Sequence, residues 1–458
     1  MSNRNERRIA AKGEKQQRFT IEQAFKLAIE LHQQKRLEEA EKIYRSVLDL
    51  QPENPDALHY LGVLLHQTGQ SEQAIISIKR ALAIVPDYLD ALNNLGNVLK
   101  ETGDPQGAVY VYRQVLSLSP DHIAAHNNLG TALRHIDAIE ESILVLTRAL
   151  ELSPDNPDVL QNLGNSYQEH KDFGQAVEAY RKSLELNPSQ SKLFHRLWWL
   201  LIKCGAEEAS RQVLEQWIKS DPDNHIAKHH YLAHTGYMPE RASDSYIQET
   251  FDEFSASFDT ILANLDYCAP GLVGQAVAAL FPEPKNVLRV LDAGCGTGLS
   301  GIPLRAYADK LIGVDLSQGM LNKARNRNLY DELIQADLVN YLLSSKQAFD
   351  LIISADTLVY FGALEAFFQA ASQALTPTGS LVFTLEKHDG ENDVHLNYHG
   401  RYAHTPRYVT DSLTNAGFKL CAMETVDLRK ERGESVVGIL ITARLLDKDS
   451  RGGSTESF

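Results

Sequence analysis

A chain of 458 residues is longer than one hydrophobic core can serve, so about two to four domains are expected. Its composition, 43% hydrophobic and 23% charged, is that of a folded protein and excludes wholesale disorder. A net charge of −15 argues against a broad grip on nucleic acid or anionic lipid, since both ask for a face rich in Lys and Arg.

The first residues carry Arg4, Arg7, Arg8, Lys12, Lys15 and Arg18 with no apolar run after them, so residues 1–20 read as a basic, flexible, solvated tail. No later stretch reaches the ~18 uninterrupted apolar residues of a membrane span. Cys204, Cys268, Cys295 and Cys421 lie far apart, which suggests neither a zinc knuckle nor a disulfide scaffold. The expected compartment is the cytoplasm.

From Pro52 a proline recurs every 34 residues, at Pro86, Pro120, Pro154, Pro188 and Pro222. In the same frame stand Leu27, Leu61, Leu95, Leu129, Leu163 and Leu197, with Gly62, Gly96, Gly130 and Gly164 following the middle four. Small residues recur at Ala40, Ala74, Ala108, Ser142, Ala176 and Ser210. Apolar residues at helical spacing imply two amphipathic helices per unit, the small residues marking their close approach and proline ending the second. Gly69, Gly103 and Gly205 fall in the intervening turn, where positive φ is needed; Asp137 and Lys171 take that place in two units.

These features resemble the tetratricopeptide repeat, in six units over 21–224, with Ala28 and Trp198 replacing the glycine in the outer units. Residues 225–245 would be a capping helix and linker. The resemblance implies a curved surface that binds protein or peptide. Asn94, Asn128 and Asn162 recur just before the repeat leucine, and the resemblance places them on the concave face, where amides can both donate to and accept from a peptide backbone. They are also explicable as a surface consensus. His225, His229, His230 and His234 have spacings suited to chelation, but with no completing ligand they read as a solvated helix face, and no metal is expected.

From about residue 285 short β-rich runs alternate with helices, predicting a parallel sheet with crossover connections. The strands expected are Val287–Asp292, Lys310–Asp315, Glu332–Asp337, Phe349–Ser354 and Ser380–Leu385, then Phe418–Leu428 and Ser435–Arg444 as a terminal antiparallel hairpin turning through 429–434. After the first strand comes Asp292-Ala293-Gly294-Cys295-Gly296-Thr297-Gly298, glycines that let backbone approach a ligand. Gly296, Gly298 and Gly301 also satisfy the G-x-G-x-x-G pattern of nicotinamide-dinucleotide proteins. Asp292 decides against that reading, because a carboxylate at the strand tip repels a pyrophosphate and suits a cationic ligand.

The sequel fits S-adenosylmethionine (SAM), which carries a sulfonium and an ammonium. Asp292, with Gly294, Cys295, Gly296 and Gly298, would hold its methionine end; Asp315 would accept the ribose hydroxyls; Leu316 and Met320 would flank the adenine; Asp337, beside Leu338, would accept its amino group; Asp356 would close the fourth strand beside the methyl. In this order the motifs resemble class I SAM-dependent methyltransferases over 246–446, with 447–458 a flexible tail. Ala355-Asp356-Thr357-Leu358-Val359-Tyr360 and Gly400-Arg401-Tyr402-Ala403-His404 resemble a bacterial family joining the repeats to such a domain. The fold expected is thus an all-α repeat solenoid followed by a Rossmann-like α/β domain with a seven-stranded sheet.

Methyl transfer from a sulfonium is an in-line displacement in which positioning dominates, and a base is needed only for a protonated acceptor. Candidates are Glu386, His388, Tyr398 and His404, alongside His395, Arg401 and Tyr402; loop shaping is the alternative for each. Tyr246, Phe251, Phe254 and Phe258 fit one helix face that either closes over the donor or packs on the sheet. The expected protein is an enzyme that methylates a protein or peptide-tethered acceptor recruited by the repeats. The alternatives are a methyltransferase of a small molecule or cell-envelope component, and a scaffold with a non-catalytic SAM-binding domain.

Overall fold

The computed structural model describes residues 20–431 and 433–446, so the two expected tails, apart from Thr20, lie outside the described residues. Thr20 belongs to the first helix, not to the tail: its hydroxyl accepts from Gln23 N, and the Gln23 side chain answers Thr20 N, a capping box. The chain divides into two compact units after Gly205.

The first unit repeats one pattern. Ile21–Gln33 and Leu37–Leu50 form the first helix pair, and Phe173–Leu186 closes the fifth, with Ser191–Lys203 after it. The recurrent glycines are dictated by helix crossing. A Cβ at Gly62, Gly96, Gly130 or Gly164 would stand within 2.5 Å of Ile78, Tyr112, Leu146 or Tyr180, the large residue 34 positions apart on successive second helices. Ala40, Ala74, Ala108, Ser142 and Ala176 are fully buried. Gly69, Gly103, Asp137 and Lys171 all take positive φ, as does Lys35, so one turn conformation serves glycine and non-glycine units alike. The second helices end two residues before each proline, where the chain cannot continue helical hydrogen bonding.

The second unit begins with Glu207–Ser220, the second helix of the expected sixth repeat, and His225–Thr235; the division therefore falls earlier than the expected boundary at 224. His229 and His230 are buried, contrary to a solvated face. His229 Nε2 donates to Gly400 O at 2.8 Å, His230 Nδ1 to Tyr398 O at 3.2 Å, and His234 stacks on Tyr398. The histidines are packing residues, which the sequence pattern alone could not reveal because their partners lie some 170 positions on.

The sheet is built from β1 (Leu288–Ala293), β2 (Ala308–Asp315), β3 (Glu332–Gln335), β4 (Phe349–Ser354), β5 (Leu375–Lys387), β6 (Val394–Leu396), β7 (Tyr402–His404), β8 (Phe418–Glu431) and β9 (Glu434–Leu445). The order β3-β2-β1-β4-β5 is parallel throughout. β9 runs antiparallel beside β5 and pairs outward with β8. Two short strands were not anticipated: β7 extends the tip of β5, and β6 pairs with it, making nine strands where seven were expected. The buried parallel strands are near-continuous hydrophobic runs, as a sheet covered on both faces requires. Leu291, Ile352 and Phe383 pack with Phe367 and Phe368 on one face; Val290, Leu351 and Val382 pack with Val273 and Val277 on the other.

Candidate functional site: the strand tips

The glycine loop after β1 is held by its neighbours. Gly294 N and Cys295 N donate to Val314 O at 2.8 and 3.0 Å, and Gly296 N donates to Asp315 Oδ2 at 2.9 Å. Gly294 and Gly296 take positive φ, at 82° and 52°. A Cβ at Gly294 would also stand 2.2 Å from Thr357 Oγ1, whereas at Gly296 it would meet open space. That opening beside half-buried backbone leaves room for a ligand. Cys295 is buried and its thiol is pushed far up by burial, so it packs and does not react.

Asp292 is fully buried at the tip of β1. Its Oδ2 accepts from the Tyr330 hydroxyl at 2.6 Å, while Oδ1 has no partner. Burial raises its pKa to about 7 against the opposing Tyr330 bond. An unpaired buried carboxylate oxygen is costly, and an incoming cation would relieve it; the ammonium or sulfonium of SAM meets that requirement. Asp315 takes one backbone N–H on each oxygen, from Gly296 and Ser317, at 2.9 Å apiece, leaving one lone pair per oxygen for two ribose hydroxyls. Met320 is buried, and Leu316 is half-buried with its carbonyl accepting from Gln335.

Asp337 fits its expected role less simply. Its Oδ1 caps the Leu338–Ser344 helix through Asn340 N at 2.9 Å, and its Oδ2 pairs with Arg241 Nη1 at 2.5 Å. It holds the entry segment to the sheet, with Leu338 buried beneath it.

That segment lies over the donor loops. Asp252 Oδ1 accepts from Gly319 N at 3.0 Å and from the Ser317 hydroxyl, at the start of the helix after β2. Asp259 accepts from the Thr297 hydroxyl of the glycine loop and from Arg327. The helix breaks between Asp244–Phe254 and Phe258–Asn264, so the four aromatics do not share one face. Tyr246 is buried against His229, Phe251 contacts Phe258 and Tyr360, and Phe254 is exposed.

At the tips of β4 and β5 the structure assembles a network that the sequence did not reveal. Arg429 is 3% exposed within β8, where a turn was expected. Its Nη1 donates to Asp356 Oδ2 at 2.6 Å, its Nε to Glu431 at 2.7 Å, and its Nη2 to Glu386. Arg401 donates to Glu386 at 2.7 Å and to Glu431 at 2.5 Å. Glu386 is thus buried between two guanidiniums and is no free base. Asp356, at φ +57°, keeps Oδ1 buried and unpartnered.

The other acceptor-side candidates disperse. His404 is fully buried, donates from Nε2 to Gly362 O at 3.0 Å, and burial pushes its pKa down to about 4. It is a core histidine. His388 stacks on His395, and Tyr398 packs on His234. Tyr330, Asp252, Asp259 and Arg429 were missed, because each meets the strand tips through a partner 38 or more residues distant, and Thr357 stood out only as a member of the run 355–360.

In the first unit each of the three recurrent asparagines bonds a side chain of the preceding repeat, and none bonds another of the three. Asn94 Nδ2 lies 2.8 Å from His59 Nε2, Asn128 donates to Asn93 at 3.2 Å, and Asn162 donates to Asn127 at 2.9 Å. One amide N–H of each is spent within the array. Among the described residues no group of three His, Cys, Asp or Glu could hold a metal, and no helix is long and apolar enough to cross a membrane.

Comparison with known proteins matches this architecture. Residues 290–379 match the family model of a methyltransferase domain, and residues 31–95, 99–161 and 157–190 match tetratricopeptide-repeat models. The malonyl-[acyl-carrier protein] O-methyltransferase of Enterobacter lignolyticus is 38% identical over 109 residues, covering 24% of this chain and 43% of its own. Human methyltransferase-like protein 27 is 34% identical over 110 residues, 24% of this chain and 45% of its own. This chain therefore spans less than half the length of either. Among solved structures, PilW, a type IV pilus biogenesis factor, aligns with 45% of this chain and 96% of its own at TM-score 0.43 and 19% identity. The chain carries a class I methyltransferase domain, the class whose methyl donor is SAM. In one chain, residues matching tetratricopeptide-repeat models are followed by residues matching a methyltransferase domain.

Proposed function

We propose that the protein transfers the methyl of SAM to a protein or protein-tethered acceptor that the repeats recruit. The observation that carries this reading is the tie between the glycine loop and Asp315 beside the orphaned Oδ1 of Asp292, a cradle for a dihydroxylated, cationic ligand. SAM bound there supplies an electrophilic methyl on an already activated leaving group. The residues Asp292, Gly294, Gly296 and Asp315 orient it, and the latches Asp252 and Asp259 hold the covering segment over it.

Recruitment by the repeats is supported by the half-buried asparagines, whose carbonyl oxygens remain to accept from a peptide backbone. A relative named for a malonyl group on an acyl carrier protein supports an acceptor delivered on a protein. The test is to incubate an extract of cells lacking the protein with the full-length enzyme and methyl-labelled SAM, then to size the labelled product. Label in the macromolecular fraction supports recruitment; label confined to small molecules favours the alternative in which the repeats serve assembly.

A further inference from the structure

We propose that Asp356 is a catalytic residue and that the acceptor it serves is a primary amine, such as a lysine side chain carries, and not a carboxylate. This rests on the methyl-transfer reading above. Asp356 is fixed from three sides. Its N–H donates to Thr384 Oγ1 at 2.8 Å, its Oδ2 is pinned by Arg429, and the next residue, Thr357, donates to Gly294 O at 3.1 Å. The last bond sets Asp356 against the glycine loop that holds the donor. A non-glycine residue at positive φ is strained, and here the strain presents a carboxylate whose Oδ1 is buried with nothing bound to it.

The surrounding charges choose the acceptor. The three donor nitrogens of Arg429 are committed to Glu431, Asp356 and Glu386, and Arg401 is committed to Glu386 and Glu431. Two guanidiniums and the His399 imidazole, 3.7 Å from Glu386, face three carboxylates, so both guanidiniums are already committed and neither is left to receive an anionic acceptor. An ammonium needs neither and suits the unbound Oδ1 of Asp356.

The step balances as follows. The ammonium gives one proton to the Asp356 carboxylate; the nitrogen lone pair then forms the new N–C bond as the C–S bond breaks. The bonding electrons stay on sulfur as a neutral thioether, the product is a methylammonium, and Asp356 returns its proton to solvent. Burial raises the pKa of Asp356 even beside Arg429, as suits a group that must accept a proton.

The labelled macromolecular product of full-length enzyme separates the possibilities. Label that survives mild alkali and appears in the acid hydrolysate as an N-methylated amino acid supports the proposal. Label released by alkali as methanol, or stable label on oxygen, overturns it while leaving the methyl-transfer reading intact; no macromolecular label contradicts both. Asp356→Asn provides a second arm, since asparagine tolerates positive φ and retains an oxygen for Arg429. Its rate should fall by about 100-fold at neutral pH. The deficit should shrink as pH rises toward the ordinary amine pKa of about 10.4, where the acceptor loses its proton unaided. A loss equal at every pH would make Asp356 a structural residue and overturn the assignment.

Discussion

At Asp292 one buried oxygen carries a stability cost that the proposed donor would relieve. Its folded pKa is raised from 3.8 to about 7, so the folded state holds the proton more tightly than the unfolded chain. The contribution to stability is therefore full below pH ~4 and lost as pH rises through about 7. Without donor, the second unit should melt at a higher temperature at pH 5 than at pH 8, as far as this group decides, and Asp292→Asn should flatten the difference. Donor affinity should run the other way, rising through pH 7 as the carboxylate ionises to meet a cation, which calorimetry at several pH values can check. For Asp315, replacement by Ala removes two hydrogen bonds to ribose, on the order of 2–4 kcal/mol of binding. It also frees Gly296 N and Ser317 N, so the variant's melting must be measured beside its affinity; unchanged affinity in a folded variant contradicts the ribose assignment.

The elements were legible in the sequence to very different degrees. The repeats announced themselves, because one glycine must meet one large residue in each of the four middle units, and the period exposes that geometry. Gly130→Ala tests it: the new Cβ would stand 2.4 Å from Leu146, and overpacking should cost about 1–3 kcal/mol in chemical denaturation. The strands β1, β2 and β4 and the loop after β1 were equally visible, since apolar runs ending in glycine and aspartate are local signals. β8 was not read to its end. Arg429-Lys430-Glu431 looks like a polar turn, yet Arg429 is buried because three carboxylates from β5, the β4 tip and its own strand surround it. Composition cannot show partners that only the sheet brings together. Arg429→Ala should destabilise the second unit by about 3–5 kcal/mol, by leaving Asp356 buried without its counter-charge and Glu386 with Arg401 alone. Loss of much less in urea unfolding would mean that Arg401 alone can compensate.

At the scale of the whole molecule the proposed function divides the labour, with transfer at the strand tips and acceptor capture by the repeats. The division after Gly205 leaves the Glu207–Ser220 and His225–Thr235 helices in the unit that contains the sheet, held through His229, His230 and Tyr398. This, too, was unreadable beforehand, because the 34-residue period runs through the boundary without a break. A division of labour predicts a division of kinetic effects: changing the array alters acceptor capture, and changing the strand tips alters the transfer itself. The direct measurement is steady-state transfer of labelled methyl from SAM to the macromolecular acceptor, by full-length protein and by a variant with Asn94, Asn128 and Asn162 all replaced by Ala. The account predicts a raised KM, each lost contact contributing about 0.5–1.5 kcal/mol, with kcat and SAM affinity little changed in a variant that keeps its helical signal and Tm. Unaltered acceptor kinetics in a folded variant, or label that never enters a macromolecule, would contradict it.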